Sequence, residues 1–345
     1  MDKKFDAVVY IGRFQPVHNA HVEMMRRAGE LARKVIVIVG SSKRPRTFKN
    51  PWVDRERGAM LMEVMVPLKE KTGAEYVYEP NIDTLYNNDA WVVRVQDIVN
   101  KHTNEGDKVG IIGYKKDETS FYLDMFPQWE MIEQSLIEEL SATEIRQLYF
   151  SSEPVNLHWF SGVIPPSTMA YLRWFKDSPE YAQLTKEKEF IKVYKKQFEP
   201  FPYPLTFITT DAVVFQAGHV LMVRRRSEPG KGLLAFPGGF LNVNQSLEDS
   251  MIRELMEETR IKLPEKILRK AITQVKVFDG IFRSERGRTV THAYRLTLTD
   301  GEWKLPKVRG ADDAEKAIWI PISQVKSEEC FEDHYDILQY FLNNK

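Results

Sequence analysis

The 345-residue chain has one cysteine, Cys330. A disulfide framework within the chain is excluded, which fits a reducing compartment. Charge of either sign is not in excess, since Lys+Arg and Asp+Glu are each 49. Neither half is a basic module, so a broad electrostatic grip on nucleic acid is not expected. Any phosphate binding has to come from a few placed residues. No stretch approaches the ~20 apolar residues that span a bilayer. The opening Met1-Asp2-Lys3-Lys4-Phe5-Asp6 enters a short apolar run stopped by Gly12 and Arg13, too short and wrongly flanked for a signal peptide. The expectation is a soluble cytoplasmic protein without a membrane partner. Internal repeats and low-complexity tracts are also missing. What remains is ordinary globular composition, 43 % apolar and 28 % charged, which excludes wholesale disorder. At roughly 100–200 residues per domain, the length suggests two domains.

The first half alternates strand and helix patterns. Residues 7–11 and 35–39 read as buried β-branched strands, 76–78 and 109–113 as shorter ones, and 19–33, 55–68 and 89–99 as helices. Glycines 12, 40 and 113 follow three of the strands. This is the pattern of an open α/β sheet, whose ligands sit beyond the carboxyl ends of the strands. A charged helix then runs to Lys195-Lys196, and Pro200, Pro202 and Pro204 follow. That is the best domain boundary. We place one domain at 1–183, a helical and Pro-rich linker at 184–204 and a second domain at 205–345. From Phe207 the pattern is mixed α+β, with strands at 207–215, 219–225, 271–278, 289–298 and 316–320, and helices near 247–259 and 332–342.

The string Gly12-Arg13-Phe14-Gln15-Pro16-Val17-His18-Asn19-Ala20-His21 follows a strand and opens a helix. Backbone N–H groups and the positive end of a helix dipole make that a phosphate site. The plain alternative is a helix start with one capping and one packed histidine. The string resembles the (H/T)xGH signature of nucleotidyltransferases, in the form GRFQPxHxGH seen in nicotinamide mononucleotide (NMN) adenylyltransferases of archaeal type, with Ala20 where glycine is usual. Ser141-Ala142-Thr143-Glu144-Ile145-Arg146 resembles the (I/S)SxTxIR signature that closes on ATP phosphates. Ser141 and Glu144 also have the spacing of a capping box. The resemblance implies adenylyl transfer from ATP to NMN, giving NAD and pyrophosphate. It implies that Gly12, Arg13, His18, His21, Ser141, Thr143 and Arg146 hold the phosphates, with His21 as the main transition-state donor. Further matches lie between the motifs: Ser41-Ser42, Asn50, Trp52, Glu56, Arg57, Asp83 and Trp91. Of these, Asn50, Trp52, Arg57 and Trp91 are assigned to NMN, with the two indoles near its pyridinium ring. Gly113 to Asp117 is a further candidate for the adenine or phosphate end.

In the second half, Glu254, Glu257 and Glu258 fall at i, i+3 and i+4 on one helix face. Carboxylates so placed repel one another and suit a hard divalent cation. With Gly239 and Arg253, the segment resembles the Nudix box, Gx5Ex7REUxEExGU. Two positions depart: the first glutamate is Gln245 and the late glycine is Arg260. Gln245 can still accept a hydrogen bond from Arg253 but lacks the charge. The resemblance implies a Nudix fold, a mixed sheet sandwiched by helices, that hydrolyses a nucleoside diphosphate linked to another group. Glu254, Glu257 and Glu258 would be the metal ligands, with Glu254 and Glu258 catalytic. Phe236, Gly239, Arg286 and Arg288 are assigned to that substrate. Arg283 and Glu315 are further candidates.

Both motif sets in this order resemble the bacterial bifunctional NMN adenylyltransferase/Nudix hydrolases. That implies ATP, NMN, NAD and ADP-ribose as small-molecule partners and Mg²⁺ or Mn²⁺ at both sites. ADP-ribose would be split to AMP and ribose 5-phosphate. The alternative is a second domain that binds ADP-ribose or a related nucleotide without cleaving it, or that acts on another diphosphate; Gln245 is its support. A homo-oligomer is left open.

Overall fold

The computed structural model describes residues 3–114, 118–134, 141–151, 156–298, 304–310 and 314–344. The chain divides into two compact units, Met1–Lys186 and Glu187–Lys345. Among the described residues no helix is long and apolar enough to cross a membrane.

The first unit is built on five parallel strands, β1 (Phe5–Gly12), β2 (Ala32–Val39), β3 (Glu75–Pro80), β4 (Val109–Gly113) and β5 (Glu130–Glu133), in the order β3-β2-β1-β4-β5. Side chains alternate across a strand, so each strand serves two cores. Val8, Tyr10, Val35, Val37 and Val39 face one core, and Ala7, Val9, Ile11, Ile36 and Ile38 face the other. Helices α1 (Asn19–Leu31) and α2 (Asp54–Thr72) cover the first through Met24, Met25, Ala28, Leu61, Val64 and Met65. Helix α3 (Asn88–Asn100) covers the second through Val95, Ile98 and Val99. The strand order reverses between β1 and β4, which opens a crevice at their carboxyl ends. Helix α4 (Ala142–Tyr149) begins at Ser141, whose Oγ accepts from the Glu144 N–H at 3.3 Å while Glu144 Oε2 accepts from the Ser141 N–H at 2.7 Å. Helices α5 (Pro166–Phe175) and α6 (Pro179–Lys196) follow, and the division between the units falls inside α6.

The second unit has a mixed sheet. Strand β6 (Thr206–Gln216) runs parallel to β11 (Arg288–Thr297) and turns through Ala217-Gly218 into antiparallel β7 (His219–Arg225). Both turn residues have positive φ, the twist a tight hairpin needs. Short strands β8 (Leu234–Ala235) and β9 (Gly238–Phe240) pair with β7 and β6. Strands β10 (Ile272–Phe278) and β12 (Ala314–Pro321) close the order β10-β11-β6-β7-β12. Helix α7 (Leu247–Thr259) packs Met251, Ile252 and Leu255 against Ala212, Val214, Leu221 and Leu296. Helix α8 (Glu265–Lys270) follows α7, and α9 (His334–Asn343) buries Ile337, Leu338 and Phe341.

One contact in the first unit depends on the absence of a side chain. A Cβ at Gly29 in α1 would lie 2.0 Å from the Tyr76 hydroxyl oxygen, which itself donates to the Met25 carbonyl at 3.1 Å. Gly29→Ala is expected to destabilise the protein by about 1–3 kcal/mol through overpacking. Added Tyr76→Phe should recover part of that loss in denaturant unfolding, a non-additivity that a double-mutant cycle reads directly.

Candidate active sites in the two units

In the first unit, the segment between β1 and α1 lies at the carboxyl edge of the sheet. Phe14 takes φ 53° and lays its ring over Gly12, where a Cβ would sit 2.8 Å from the ring. Only glycine fits there. Gln15 is buried and bonded twice to the Trp52 main chain: its Nε2 donates to the carbonyl at 2.9 Å and its Oε1 accepts from the N–H at 3.1 Å. The His18 and His21 rings lie with centroids 3.7 Å apart and planes tilted by 37°. The His18 N–H donates to His21 Nδ1 at 3.2 Å. A neutral His21 therefore carries its proton on Nε2, leaving that N–H to donate. Burial, with a smaller contribution from His18, holds the His21 imidazole well below its usual pKa, so it stays neutral near pH 7.

The second signature reaches the first directly. Arg146, almost fully buried, donates from Nη1 to the Gln15 carbonyl at 2.7 Å and to the Ala142 carbonyl at 3.1 Å, and from Nη2 to Thr143 Oγ1 at 3.1 Å. The loop after β2 is tied in as well. Ser41 donates from its N–H and Oγ to the two carboxylate oxygens of Asp83, at 3.1 and 2.7 Å.

In the second unit, Glu254, Glu257 and Glu258 lie on α7. Arg253 organises them: Nη2 donates to Glu254 Oε1 at 2.7 Å, Nη1 to Glu257 Oε2 at 2.7 Å and Nε to Gln245 Oε1 at 2.9 Å. Gly239 lies under Glu254, where a Cβ would sit 2.5 Å from Oε1. Glu258 is buried and accepts from the Gly238 N–H at 3.0 Å. Burial first, then the nearby Glu254 and Asp211, pushes its carboxyl up to about 8, against the pull of that N–H and of Arg225. Among the described residues no three acidic, histidine or cysteine side chains already enclose a metal position. The donor chemistry nevertheless fits a hard cation, because the Glu258 carboxyl is a buried oxygen donor whose charge is opposed mainly by burial and by other carboxylates.

Two family models match the chain: Cytidylyltransferase-like over residues 9–148 and NUDIX domain over residues 206–341. A nicotinamide/nicotinic acid mononucleotide adenylyltransferase from Acinetobacter baylyi is 37 % identical over 185 residues, 53 % of this chain and 94 % of that protein. An ADP-ribose pyrophosphatase from Methanocaldococcus jannaschii is 24 % identical over 169 residues, 48 % of this chain and 86 % of that protein. A Francisella tularensis bifunctional NMN adenylyltransferase/ADP ribose pyrophosphatase, solved with AMP and a Mn ion, matches at TM-score 0.88 and 32 % identity over 98 % of this chain and 99 % of that one. The chain belongs to the bifunctional NMN adenylyltransferase/ADP-ribose pyrophosphatase family.

In this member of the family, Gly12, His18, His21, Thr143 and Arg146 form one connected neighbourhood, with Arg13 exposed beside it and Ser141 capping α4. Other candidates have different partners. Trp52 is fully buried among the rings of Tyr149, Phe150 and Phe175, so its indole has no face open to a pyridinium. Trp91 is part-buried against Tyr122 and Phe126. Arg57 is buried and donates to the carbonyls of Arg13, Gly40 and Ser41, at 2.7, 2.7 and 3.1 Å. It shapes the loops rather than facing a ligand. Asn50 holds a turn with Thr47 and buries an unpartnered Oδ1. Phe236 is buried and stacked on His334. Arg288 bonds its own hairpin at the Asp279 and Gly280 carbonyls, and Arg283 is paired with buried Asp333 at 2.7 and 2.8 Å. Arg286 lies over Phe240 and Phe331. Glu315 is exposed on β12, and residues 115–117 lie outside the described residues.

Two residues were missed by sequence reasoning. Gln15 braces the first loop. Asp211, buried on β6 and hydrogen-bonded by Thr291 Oγ1, adds to the acidic field on Glu258. An acid followed by the apolar run Ala212-Val213-Val214 was the available signal for Asp211.

The raised Glu258 carboxyl has a pH signature. A carboxyl favoured as the neutral form in the folded state contributes stability at low pH, and that contribution is lost as pH rises from about 4.5 through about 8. In metal-free protein, Glu258→Gln should match wild type near pH 4 and exceed it increasingly up to pH ~8, where the gap levels off. Thermal unfolding across that range, with chelator present, checks this.

Proposed function

We propose that the first unit transfers the adenylyl group of ATP to NMN, and that the second hydrolyses ADP-ribose to AMP and ribose 5-phosphate. The activities map to residues 1–183 and 205–345, with 184–204 as the linker. The observation that carries the reading is the pairing of two arginine-braced signatures in one chain: Arg146 bonded to the Gln15 carbonyl in the first, and Arg253 bonded to Glu254, Glu257 and Gln245 in the second.

In the first unit, a phosphate oxygen of NMN attacks the α-phosphorus of ATP and pyrophosphate leaves. The nucleophile is already anionic, so no general base is needed, and catalysis is positioning and charge stabilisation. His21 Nε2–H is the fixed neutral donor to the charge that develops on the phosphoryl oxygens. Arg13, His18, Thr143 and Arg146 hold the triphosphate, with the Gly12 backbone and the Ser141 helix start beside it. Asn50 and Trp91 remain the NMN candidates, and Arg57 and Trp52 act by holding the loops.

In the second unit, Glu254, Glu257 and Glu258 would hold Mg²⁺ or Mn²⁺. Such ions neutralise a diphosphate and lower the pKa of an attacking water. Arg253 keeps two of these carboxylates in place, and the Gly238-Gly239 backbone lets the box loop approach them closely. Arg286, half-enclosed by Phe240 and Phe331, is the substrate-side cation. A second reading rests on Gln245, which gives Arg253 a neutral partner where the box has a charged one: the unit binds ADP-ribose without turning it over.

The deciding assay supplies full-length protein with ADP-ribose and Mn²⁺ and follows AMP release, with NAD formation from ATP and NMN as control. AMP release is expected, and Glu257→Ala should lower it by at least about 10²-fold while NAD formation stays intact. Tight ADP-ribose binding with no AMP release would establish the binding module instead.

A further inference from the structure

In the second unit, the turn that opens α9 is laced to the segment that leads into the box loop. Leu234 and Cys330 form an isolated parallel bridge, and the Phe331 N–H donates to the Leu234 carbonyl at 2.8 Å. His334, the first residue of α9, is buried. Its ring stacks on Phe236 with centroids 5.1 Å apart and planes 28° from parallel. Its Nδ1 accepts from the buried Phe236 N–H at 2.9 Å.

The bond to Phe236 is transmitted to Glu258 through a very short piece of backbone. Pro237 has no N–H to donate, and its carbonyl accepts from the Ala212 N–H at 2.8 Å. The next N–H, that of Gly238, donates to Glu258 Oε2 at 3.0 Å. Gly238 packs tightly on β6, since a Cβ there would sit 2.2 Å from the Thr210 carbonyl oxygen. The main chain from Phe236 to Gly238 is therefore pinned from α9 at one end and bonded to a box glutamate at the other.

His334 is itself held in place. Asp333, at the N-cap of α9, makes no side-chain cap bond to the helix. Its carboxylate takes Arg283 instead, from Nε at 2.8 Å and from Nη2 at 2.7 Å, and both side chains are buried. Glu332 takes φ 45°, a left-handed conformation that costs a non-glycine residue free energy and persists where the surroundings enforce it. Burial first, with Arg283 and Arg225 adding to it, keeps the His334 imidazole below its usual pKa, against the pull of Asp211 and Asp333. A neutral ring keeps the lone pair on Nδ1 that the Phe236 N–H needs.

Resting on the reading that the second unit hydrolyses ADP-ribose, we propose that His334 is a positioning residue for that reaction: Nδ1 fixes the Phe236–Gly238 backbone, and the Gly238 N–H in turn sets how the Glu258 carboxyl meets a cation. The imidazole acts through the backbone rather than on the substrate. Groups that orient a metal-binding side chain tune its affinity nearly as the ligands themselves do. Without the acceptor, the Phe236 N–H is buried with no partner, and the backbone shifts to find one.

Calorimetric titration of full-length protein with MnCl₂ tests this without substrate, the step that Glu257→Ala abolishes being the one assigned to the box. Three variants are compared with wild type. His334→Phe keeps a ring but lacks the acceptor. His334→Asn places Oδ1 where Nδ1 stood, and His334→Gln carries its oxygen one bond too far. Mn²⁺ affinity should fall about tenfold in His334→Phe and His334→Gln and be largely restored in His334→Asn. AMP release from ADP-ribose should follow the same ranking, in kcat more than in KM. If His334→Phe does not fold, His334→Gln against His334→Asn carries the same comparison. A role in stability alone would lower the unfolding temperature of the variants and leave Mn²⁺ affinity unchanged, and that result overturns the proposal. So does a His334→Asn that binds Mn²⁺ no better than His334→Gln, or a wild type with no Mn²⁺ step that Glu257→Ala removes. The expected Mn²⁺ ranking in a protein that releases no AMP would overturn the hydrolysis reading and leave the placement of Glu258 by His334 supported.

Discussion

The Arg57 guanidinium lies buried at the carboxyl edge of the first sheet, donating to three main-chain carbonyls from the loops that follow β1 and β2. Burial lowers its pKa to about 10, with Tyr78, Asp54 and Asp83 opposing that fall, so it remains charged at neutral pH. A buried cation without a touching carboxylate is costly unless its hydrogen bonds are well made. Here they fix the shape of two loops at once. The Gly40 N–H donates to the Gly12 carbonyl, and Ser41 is clamped by Asp83, so the whole edge is set before a ligand arrives. Preorganised donors need not reorganise when charge develops in a transition state, which is the condition for electrostatic catalysis.

The same device recurs. Arg146 joins two signatures 131 residues apart by bonding the Gln15 carbonyl. Arg253 gathers two box glutamates and Gln245. Arg283 binds Asp333 in the interior of the second unit. In each case the planar fork of arginine meets acceptors that a lysine could not span. The protein handles phosphates in both units with no net positive charge because its cations are placed rather than numerous.

Local patterns were readable where the physics is local. Strands 35–39 and 109–113 and the helix at 247–259 are marked by periodicity and flanking glycines, and the Ser141–Glu144 cap by its spacing. The Arg253–Gln245 bond was also anticipated from the box offsets. Strands β5, β8 and β9 are too short to show a period, and pairing partners distant in sequence hold them. Motif position alone does not tell which way a guanidinium or an indole faces. Arg57 and Trp52 match at the right places, yet carbonyls enclose one and aromatic rings the other. Asp211 escaped notice because its partners, Thr291 and Glu258, come from a later strand and from α7.

On the proposed reading, the two signatures of the first unit act as one site through the Arg146–Gln15 bond. A kinetic double-mutant cycle tests it most directly, measuring kcat/KM for NAD formation in His21→Ala, Arg146→Ala and the double variant. Residues that act as a unit give losses that do not multiply. A double variant little worse than the weaker single variant is the expected result. A double variant whose loss equals the product of the two single losses would contradict it.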